Sequence, residues 1–140
     1  MTTDISKTVT VARYMTRGPH TIGREQSLER ARAIMKADRI RHLPVLDGGK
    51  LVGVLSDREL GIFEGIAAGA PLLVEDVMVP GGYVTFEDAP LAVVAAEMAE
   101  LKVGSAVVMK GGHVVGVFTA VDAFRALAEM LGGDGPGARS

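Results

Sequence analysis

The 140-residue sequence contains no cysteine and no tryptophan, and aromatic residues make up 4% of it. Without cysteine, the chain cannot form disulfides, thiolate metal sites or a cysteine nucleophile. With so few rings, the core must be built mainly from valine, leucine, isoleucine, alanine and methionine. A chain of this length can bury one such core or form two small interlocked halves.

The sequence also lacks a marked excess of either charge, because 15 basic residues face 17 acidic ones and the formal net charge is −2. Retention on nucleic acid or on an anionic membrane by bulk electrostatics would need a basic face or tail, so we expect neither partner. No segment approaches the roughly 18 continuous apolar residues of a spanning helix, and the first residues do not resemble a signal peptide. We therefore expect a cytoplasmic protein.

What the sequence does contain is an internal duplication. Residues 42–60 read as strand, Gly-Gly turn, strand and helix start, and residues 105–123 repeat that order. The offset is 63 residues, which also separates Met15 from Met78. A fixed offset of this kind indicates two copies of one structural unit.

Local patterns predict the elements of each copy. Ser27 is a suitable N-cap, and the apolar residues after it recur with helical period, which predicts a helix over 28–37. The continuous apolar run at 51–55 suits a strand buried on both faces. Pro44, near the start of the preceding strand, suggests an edge strand or an irregular backbone.

Each copy therefore reads as short strand, helix, strand, strand and helix, an α/β fold of the α+β kind. This order, with Leu-Pro-Val at 43–45, the Gly-Gly turns, Gly-Val-Leu-Ser-x-x-Glu at 53–59 and Gly-Val-Phe-Thr-x-x-Asp at 116–122, resembles the CBS domain family. The family is named after cystathionine beta-synthase. The resemblance implies two tandem repeats, at 9–66 and 72–131, packed about a pseudo-twofold axis as one Bateman module. A linker at 67–71 and a disordered tail at 132–140 complete the predicted organisation.

The resemblance further implies a regulatory module that senses AMP, ADP, ATP or another adenosyl ligand such as S-adenosylmethionine, and that requires no cofactor. It implies a homodimer formed through the helices and, because no effector is attached, an effector protein acted on in trans. No Ser-His-Asp order, phosphate-binding Walker loop or credible pair of catalytic carboxylates is present, so we expect no enzymatic activity. The three histidines are too scattered to predict a metal site, and we expect them at the surface. The alternative interpretation is a ligand-free dimerisation or adaptor module.

A hydroxyl and a carboxylate three residues apart at a strand-to-helix junction can serve two purposes. Facing a nucleotide, the hydroxyl and the helix amides bind phosphate, the carboxylate binds ribose, and a preceding glycine lets the ligand approach. Without a ligand, the same two side chains form a capping box. Glu59 after Ser56 favours the capping box, whereas Asp122 after Thr119 matches the ribose carboxylate of the family, and both interpretations stay open.

Cations gather around the first junction and not around the second. By resemblance, Arg41 and His42 reach ligand phosphates, although Arg41 could instead be a solvated cation near a helix end. We therefore hypothesise a site in which Asp122 holds the ribose while Arg41, His42 or Arg58 holds the phosphates. Apolar walls and backbone groups would hold the adenine, although most of these residues also suit a plain core. The predicted binding residues are Thr21, Arg41, His42, Pro44, Ser56, Arg58, Glu59, Thr85, Ala106, Val107, Thr119 and Asp122.

Overall fold

The structure, a computed structural model, describes residues 9–66 and 71–132. The predicted linker, apart from Pro71, and the predicted tail, apart from Gly132, lie outside the described residues. The chain forms two compact units. The first unit contains residues 19–82 and 111–114, and the second contains the described parts of 1–18, 83–110 and 115–140.

The described residues form eight strands, five α-helices and a short 3₁₀ helix at Val11–Arg13. The strands are β1 (Thr16–Arg17), β2 (Ile22–Gly23), β3 (His42–Asp47), β4 (Lys50–Ser56), β5 (Val79–Pro80), β6 (Val84–Phe86), β7 (Ser105–Lys110) and β8 (His113–Thr119). The helices are α1 (Leu28–Asp38), α2 (Asp57–Ile66), α3 (Val74–Val77), α4 (Leu91–Leu101) and α5 (Ala120–Met130). This mixed α/β architecture with two sheets confirms the predicted fold class.

The sheet of the first unit has the order β2-β3-β4-β5. The pair β2 and β3 is parallel, and the two other pairs are antiparallel. Ser27 caps α1 by accepting a hydrogen bond from the Arg30 amide, which confirms the predicted helix to within one residue. The core of this unit consists of Ile22, Ala31, Met35, Leu43, Val45, Leu55, Leu60, Val74 and Val77.

The sheet of the second unit has the order β1-β8-β7-β6, with β1 antiparallel to β8 and β6 parallel to β7. Its core consists of Val11, Met15, Leu91, Val94, Met98, Ala106, Val108, Phe118 and Ala126. Residues 9–18 thus belong to the second unit, although they open the predicted first repeat. The compact units and the sequence repeats therefore have different boundaries, and the repeat ranges stay a prediction.

Two glycines explain how the short strands β1 and β5 approach their neighbours so closely. A Cβ atom on Gly53 would lie 2.7 Å from Met78 Sδ and 2.8 Å from the Val79 carbonyl oxygen. A Cβ atom on Gly116 would lie 2.7 Å from Met15 Sδ, with the Thr16 carbonyl oxygen at 2.9 Å. The close approach of the chain is therefore sufficient reason for these glycines, and the expectation that they let a ligand approach stays a prediction.

The expectation that Pro44 marks an edge strand is wrong, because β3 lies between β2 and β4. The corresponding residue of the second unit, Val107, donates its amide to the Tyr83 carbonyl at 2.8 Å. Pro44 has no N–H to make that bond with His20, and β2 accordingly has two residues where β6 has three. The predicted irregularity is present one residue later, as a register shift between Val45 and Leu46.

Candidate functional site

The first junction, from β4 into α2, is a closed hydrogen-bonded cap. Glu59 Oε1 accepts from the Ser56 amide at 3.0 Å and from the Ser56 hydroxyl. In return, the Glu59 amide approaches Ser56 Oγ at 3.4 Å. The two residues therefore satisfy each other at the start of the helix, as a capping box does.

The second junction, from β8 into α5, has the same construction and one additional partner. Asp122 Oδ2 accepts from the Thr119 amide at 2.9 Å and from its hydroxyl at 3.1 Å, while the Asp122 amide donates back to Thr119 Oγ1. Arg125 Nη1 donates to the other oxygen, Oδ1, at 2.9 Å. Asp122 is 4% exposed, so its carboxylate is buried and both of its oxygens already accept hydrogen bonds.

Arg125 was not predicted from the sequence as a site residue. Its position three residues after Asp122 on one helix face was the available signal, because side chains at this spacing meet. The pair matters for ligand binding because a ribose hydroxyl approaching Asp122 must share the carboxylate with Arg125 or displace it.

The strands bring His42 beside the first junction, since it pairs directly with Ser56 across β3 and β4. Burial lowers the pKa of His42 below its usual value of 6.5, and this outweighs the carboxylates of Asp57 and Glu59, which act in the opposite direction. His42 is therefore neutral at pH 7 and half-buried. The expectation that the histidines lie at the surface is therefore wrong for His42.

Arg41 lies at the same junction and contacts Asp57, the first residue of α2. The Asp57 amide donates to the Arg41 carbonyl at 2.9 Å, and Arg41 Nε lies 3.9 Å from Asp57 Oδ2. In the second unit, the Ala120 amide donates to the Gly104 carbonyl at 3.0 Å without any charged side chain. The backbone arrangement is thus shared by the two junctions, and Arg41 has a counterpart without charge in Gly104. The expectation that cations gather only around the first junction is nevertheless wrong, because Arg125 binds Asp122 at the second.

The other predicted binding residues divide between the two units. In the first unit, Thr21 immediately precedes β2, Pro44 is buried on β3, and Arg58 is exposed on α2. In the second, Thr85 is 7% exposed on β6, and Ala106 and Val107 are fully buried on β7. The buried members can offer a ligand backbone groups more readily than side chains. The predicted combination of Asp122 with Arg41, His42 or Arg58 remains a hypothesis.

Within residues 9–66 and 71–132, no helix is long and apolar enough to cross a membrane. The same residues contain no group of three or more histidine, aspartate or glutamate side chains arranged to hold a metal ion.

The two compact units, each with a strand, helix, strand and strand followed by a capped helix, define a tandem α/β domain pair. The chain belongs to the CBS domain family, whose sequence profile matches residues 11–60 and 74–129. The two matched segments correspond to the two copies that the 63-residue offset predicted. The resemblance seen in the sequence is therefore confirmed.

Solved structures of CBS domain pairs share this fold. The chain is 30% identical to the AcuB protein of Vibrio cholerae, with a TM-score of 0.80 over 88% of this chain and 94% of that one. It is 26% identical to the CBS domain pair of MJ0100, solved with 5′-methylthioadenosine and S-adenosyl-L-methionine, with a TM-score of 0.79 over 87% and 98%. It is also 26% identical to CBSX2 of Arabidopsis thaliana, solved with AMP, with a TM-score of 0.76 over 88% and 98%.

A curated relative is an enzyme of much greater length. Over 116 residues, the chain is 31% identical to the inosine-5′-monophosphate dehydrogenase of Korarchaeum cryptofilum. The match covers 79% of this chain and 23% of the dehydrogenase. The chain thus spans about a quarter of the length of that relative.

Proposed function

We propose that this protein is a regulatory module that binds an adenosyl ligand and acts on an effector protein in trans. The observation that carries the proposal is the similarity, over nearly their whole length, to two CBS domain pairs solved with adenosyl ligands. Those ligands are AMP, 5′-methylthioadenosine and S-adenosyl-L-methionine, which share the adenosine group. We infer that adenosine is the part of the ligand recognised by this chain.

The proposed contacts are the residues around the two junctions and the strands leading to them. In the first unit these are Thr21, Pro44 and Ser56, with the cations Arg41 and Arg58 and the neutral His42 nearby. In the second unit they are Thr85, Ala106, Val107 and Thr119. Glu59 and Asp122 act first as caps of their helices, so ligand binding at either must compete with an existing hydrogen bond.

A thermal-shift panel of AMP, ADP, ATP, S-adenosylmethionine and NAD tests the proposal on the purified chain. A ligand that binds the folded state alone raises the melting temperature in a concentration-dependent way. We expect at least one adenosyl compound to do so, and mass spectrometry of the supernatant from denatured protein to identify any nucleotide carried through purification. No shift by any compound at millimolar concentration would contradict the proposal.

The alternative function, a ligand-free dimerisation or adaptor module, is favoured by one specific observation. Both junctions are satisfied within the chain, because each carboxylate accepts from the hydroxyl and the amide three residues before it. Neither helix start therefore needs a ligand for its stability. The panel separates the two functions, since an adaptor would show no shift.

Under either function, we propose that the protein is a homodimer that uses the outer face of α5. Four large apolar side chains on this helix are more than half exposed: Val121, Phe124, Leu127 and Met130. An exposed patch of this kind is typical of a protein interface. We expect Phe124→Asp to convert a dimer to a monomer in light scattering, and Ile62→Asp on α2 to leave the dimer intact. A wild-type protein that is monomeric at high concentration would exclude the homodimer.

A further inference from the structure

An open groove of about 310 Å³ lies between the end of α1 and the start of α2 in the first unit. Two of the residues that line it, Met35 and Ile40, are apolar, and the others are charged. Four of these are basic and one is acidic: Arg32, Lys36, Arg39, Arg41 and Asp57. This concentration of positive charge occurs in a chain whose formal net charge is −2.

The helix geometry places these cations side by side. Arg32 and Lys36 are four residues apart on α1 and therefore share one face of the helix. Arg39 caps the same helix in the left-handed conformation, with φ of 55°, and its amide donates to the Met35 carbonyl. Like charges at this spacing repel one another, which destabilises the folded chain.

Internal ion pairs relieve part of that repulsion. Arg32 Nη2 lies 2.6 Å from Glu64 Oε1, and Arg41 Nε lies 3.9 Å from Asp57 Oδ2. Within the described part of the chain, no ion pair involves Lys36 or Arg39. The groove thus contains two cations, Lys36 and Arg39, with which no carboxylate of the described residues forms an ion pair.

The second unit provides an internal control for this arrangement. The positions that correspond to the five charged residues are Ala95, Ala99, Lys102, Gly104 and Ala120. A cation at the end of a helix is favoured by the helix dipole, and this accounts for Arg39 and Lys102 alike, since both cap their helices. The dipole also favours Lys36, in the last turn of α1, and Arg41, just beyond its end. It does not explain why only the first unit carries them, because α4 ends in the same way with Ala99 and Gly104 at these positions.

We propose that this groove is an anion-binding site for an oligophosphate group. Several cations on a concave surface bind a compact, multiply charged anion through charge-assisted hydrogen bonds. The three arginines, Arg32, Arg39 and Arg41, can each offer paired donors to phosphate oxygens, which a lysine cannot. The small size of the groove favours a phosphate chain over an acidic peptide, because few residues of a peptide would reach its cations. The groove shares Arg41 with the proposed adenosyl-ligand contacts, but it is formed without any adenosyl ligand and its binding of oligophosphate does not depend on the proposed regulatory function.

The test is isothermal titration of the full chain with inorganic tripolyphosphate at low ionic strength. The key variant is Lys36→Ala with Arg39→Gly, because alanine favours the helix and glycine favours the left-handed cap, so the fold is retained. Its matched control is Lys102→Gly, which removes the corresponding cap cation of the second unit. We expect the wild type to bind tripolyphosphate at one saturable site. The affinity should be at least about tenfold lower in the double variant and little changed in the control. Added salt should weaken it further.

The proposal would be overturned if the wild type showed no saturable binding of tripolyphosphate, if the double variant bound it equally well, or if the Lys102→Gly control weakened binding by as much as the double variant. Binding of polyglutamate without tripolyphosphate would likewise assign the groove to an acidic protein instead. Circular dichroism of each variant shows that a loss of binding is not a loss of fold.

Two further arms identify the source of the phosphate. One result is that ATP competes with tripolyphosphate, and that the double variant binds ATP more weakly but adenosine as well as the wild type does. The groove then holds the phosphate chain of a nucleotide. If ATP binds the double variant as well as the wild type, the groove holds a separate oligophosphate. Both results support the site. Failure of adenosine, ATP and S-adenosylmethionine to bind would contradict the proposed function and leave the tripolyphosphate result standing.

Discussion

The two units share a fold but present different helix surfaces. On α5 of the second unit, the outer face carries Val121, Phe124 and Leu127, each more than half exposed. The corresponding residues of α2 in the first unit are Arg58, Gly61 and Glu64. The corresponding helices α1 and α4 also differ, since the first unit again has charged residues where the second has apolar ones. Arg32 and Lys36 of the basic groove correspond to Ala95 and Ala99.

The residues that the two units share are those that the fold requires. Both have a glycine where a short edge strand passes, a methionine over that glycine, and a hydroxyl with a carboxylate three residues later. Many of the residues that differ lie on the outer faces of the helices, and others lie on the strands, such as Pro44 in place of Val107. Comparison of the two units therefore distinguishes positions that the fold requires from surface positions available for binding. Variants made in one unit at a time can test this distinction.

The largest effect is expected from filling the space at a shared glycine. In Gly53→Val, the new side chain would meet the Val79 carbonyl and the Met78 sulfur, and the backbone atom cannot move aside without shifting β5. Overpacking of this kind should lower the free energy of unfolding by about 3 kcal/mol. Gly116→Val should have a comparable effect, and urea denaturation measures both.

The control for these variants is Gly61→Ala, on α2, where a Cβ atom would have no heavy atom within 4 Å. Alanine is a better helix former than glycine, so this change should stabilise the chain by roughly 0.5–1 kcal/mol. If Gly53→Val were as harmless as Gly61→Ala, the explanation of the shared glycines by close approach would be wrong.

The second prediction compares the two caps. Asp122→Ala removes the buried carboxylate that accepts from Thr119 and Arg125, and it should cost about 2 kcal/mol of stability. Glu59→Ala removes a half-buried carboxylate with no arginine partner in the described structure, and it should cost about 1 kcal/mol. Equal losses would show that Arg125 contributes nothing to the second cap. Titration of the same variants with the ligand found in the panel tests whether Asp122 also binds ribose.

Much of the fold could be predicted because its signals are local and occur twice. The helical period before Met35, the cap at Ser27 and the glycine turns each follow from a few neighbouring residues. The 63-residue offset repeats the helical period and the turns, although Pro90 stands in place of Ser27 and makes no side-chain cap. The pairing of β5 with β4 could not be predicted, because it depends on a contact between Gly53 and Met78, which are far apart in sequence. Both residues could be identified as repeated positions, but a sequence repeat does not predict which residues are in contact.

The candidate site was predicted less completely, for the same reason. The hydroxyl and the carboxylate at each junction were found from their three-residue spacing, which is a local signal. The burial of His42 was not found, because burial depends on the whole unit that surrounds the strand. The basic groove combines residues of α1 with Asp57 of α2, and only folding brings them together.

The third prediction concerns His42, whose place in the second unit is taken by Ser105. Because burial lowers its pKa, the folded chain resists a proton that the unfolded chain accepts near pH 6.5. Stability is therefore unaffected above that pH and falls as the pH drops below it. His42→Ser gives the first unit the residue that the second unit has at this position, and it should remove the loss of stability at low pH. Urea denaturation between about pH 5 and 7 checks this, and parallel stability curves for the two proteins would contradict it.

The smallest effect is expected at Pro44, the position where Val107 donates to the Tyr83 carbonyl. Pro44→Val supplies the missing N–H for the His20 carbonyl, and such a hydrogen bond contributes about 1 kcal/mol. The same change returns freedom to the unfolded chain, which costs about 0.4–1 kcal/mol. The two terms nearly cancel, so unfolding should shift by less than about 0.5 kcal/mol. The decisive measurement is amide hydrogen exchange. A protected amide at residue 44 would show that proline is what shortens β2, whereas an amide that exchanges freely would place the cause elsewhere in the first unit.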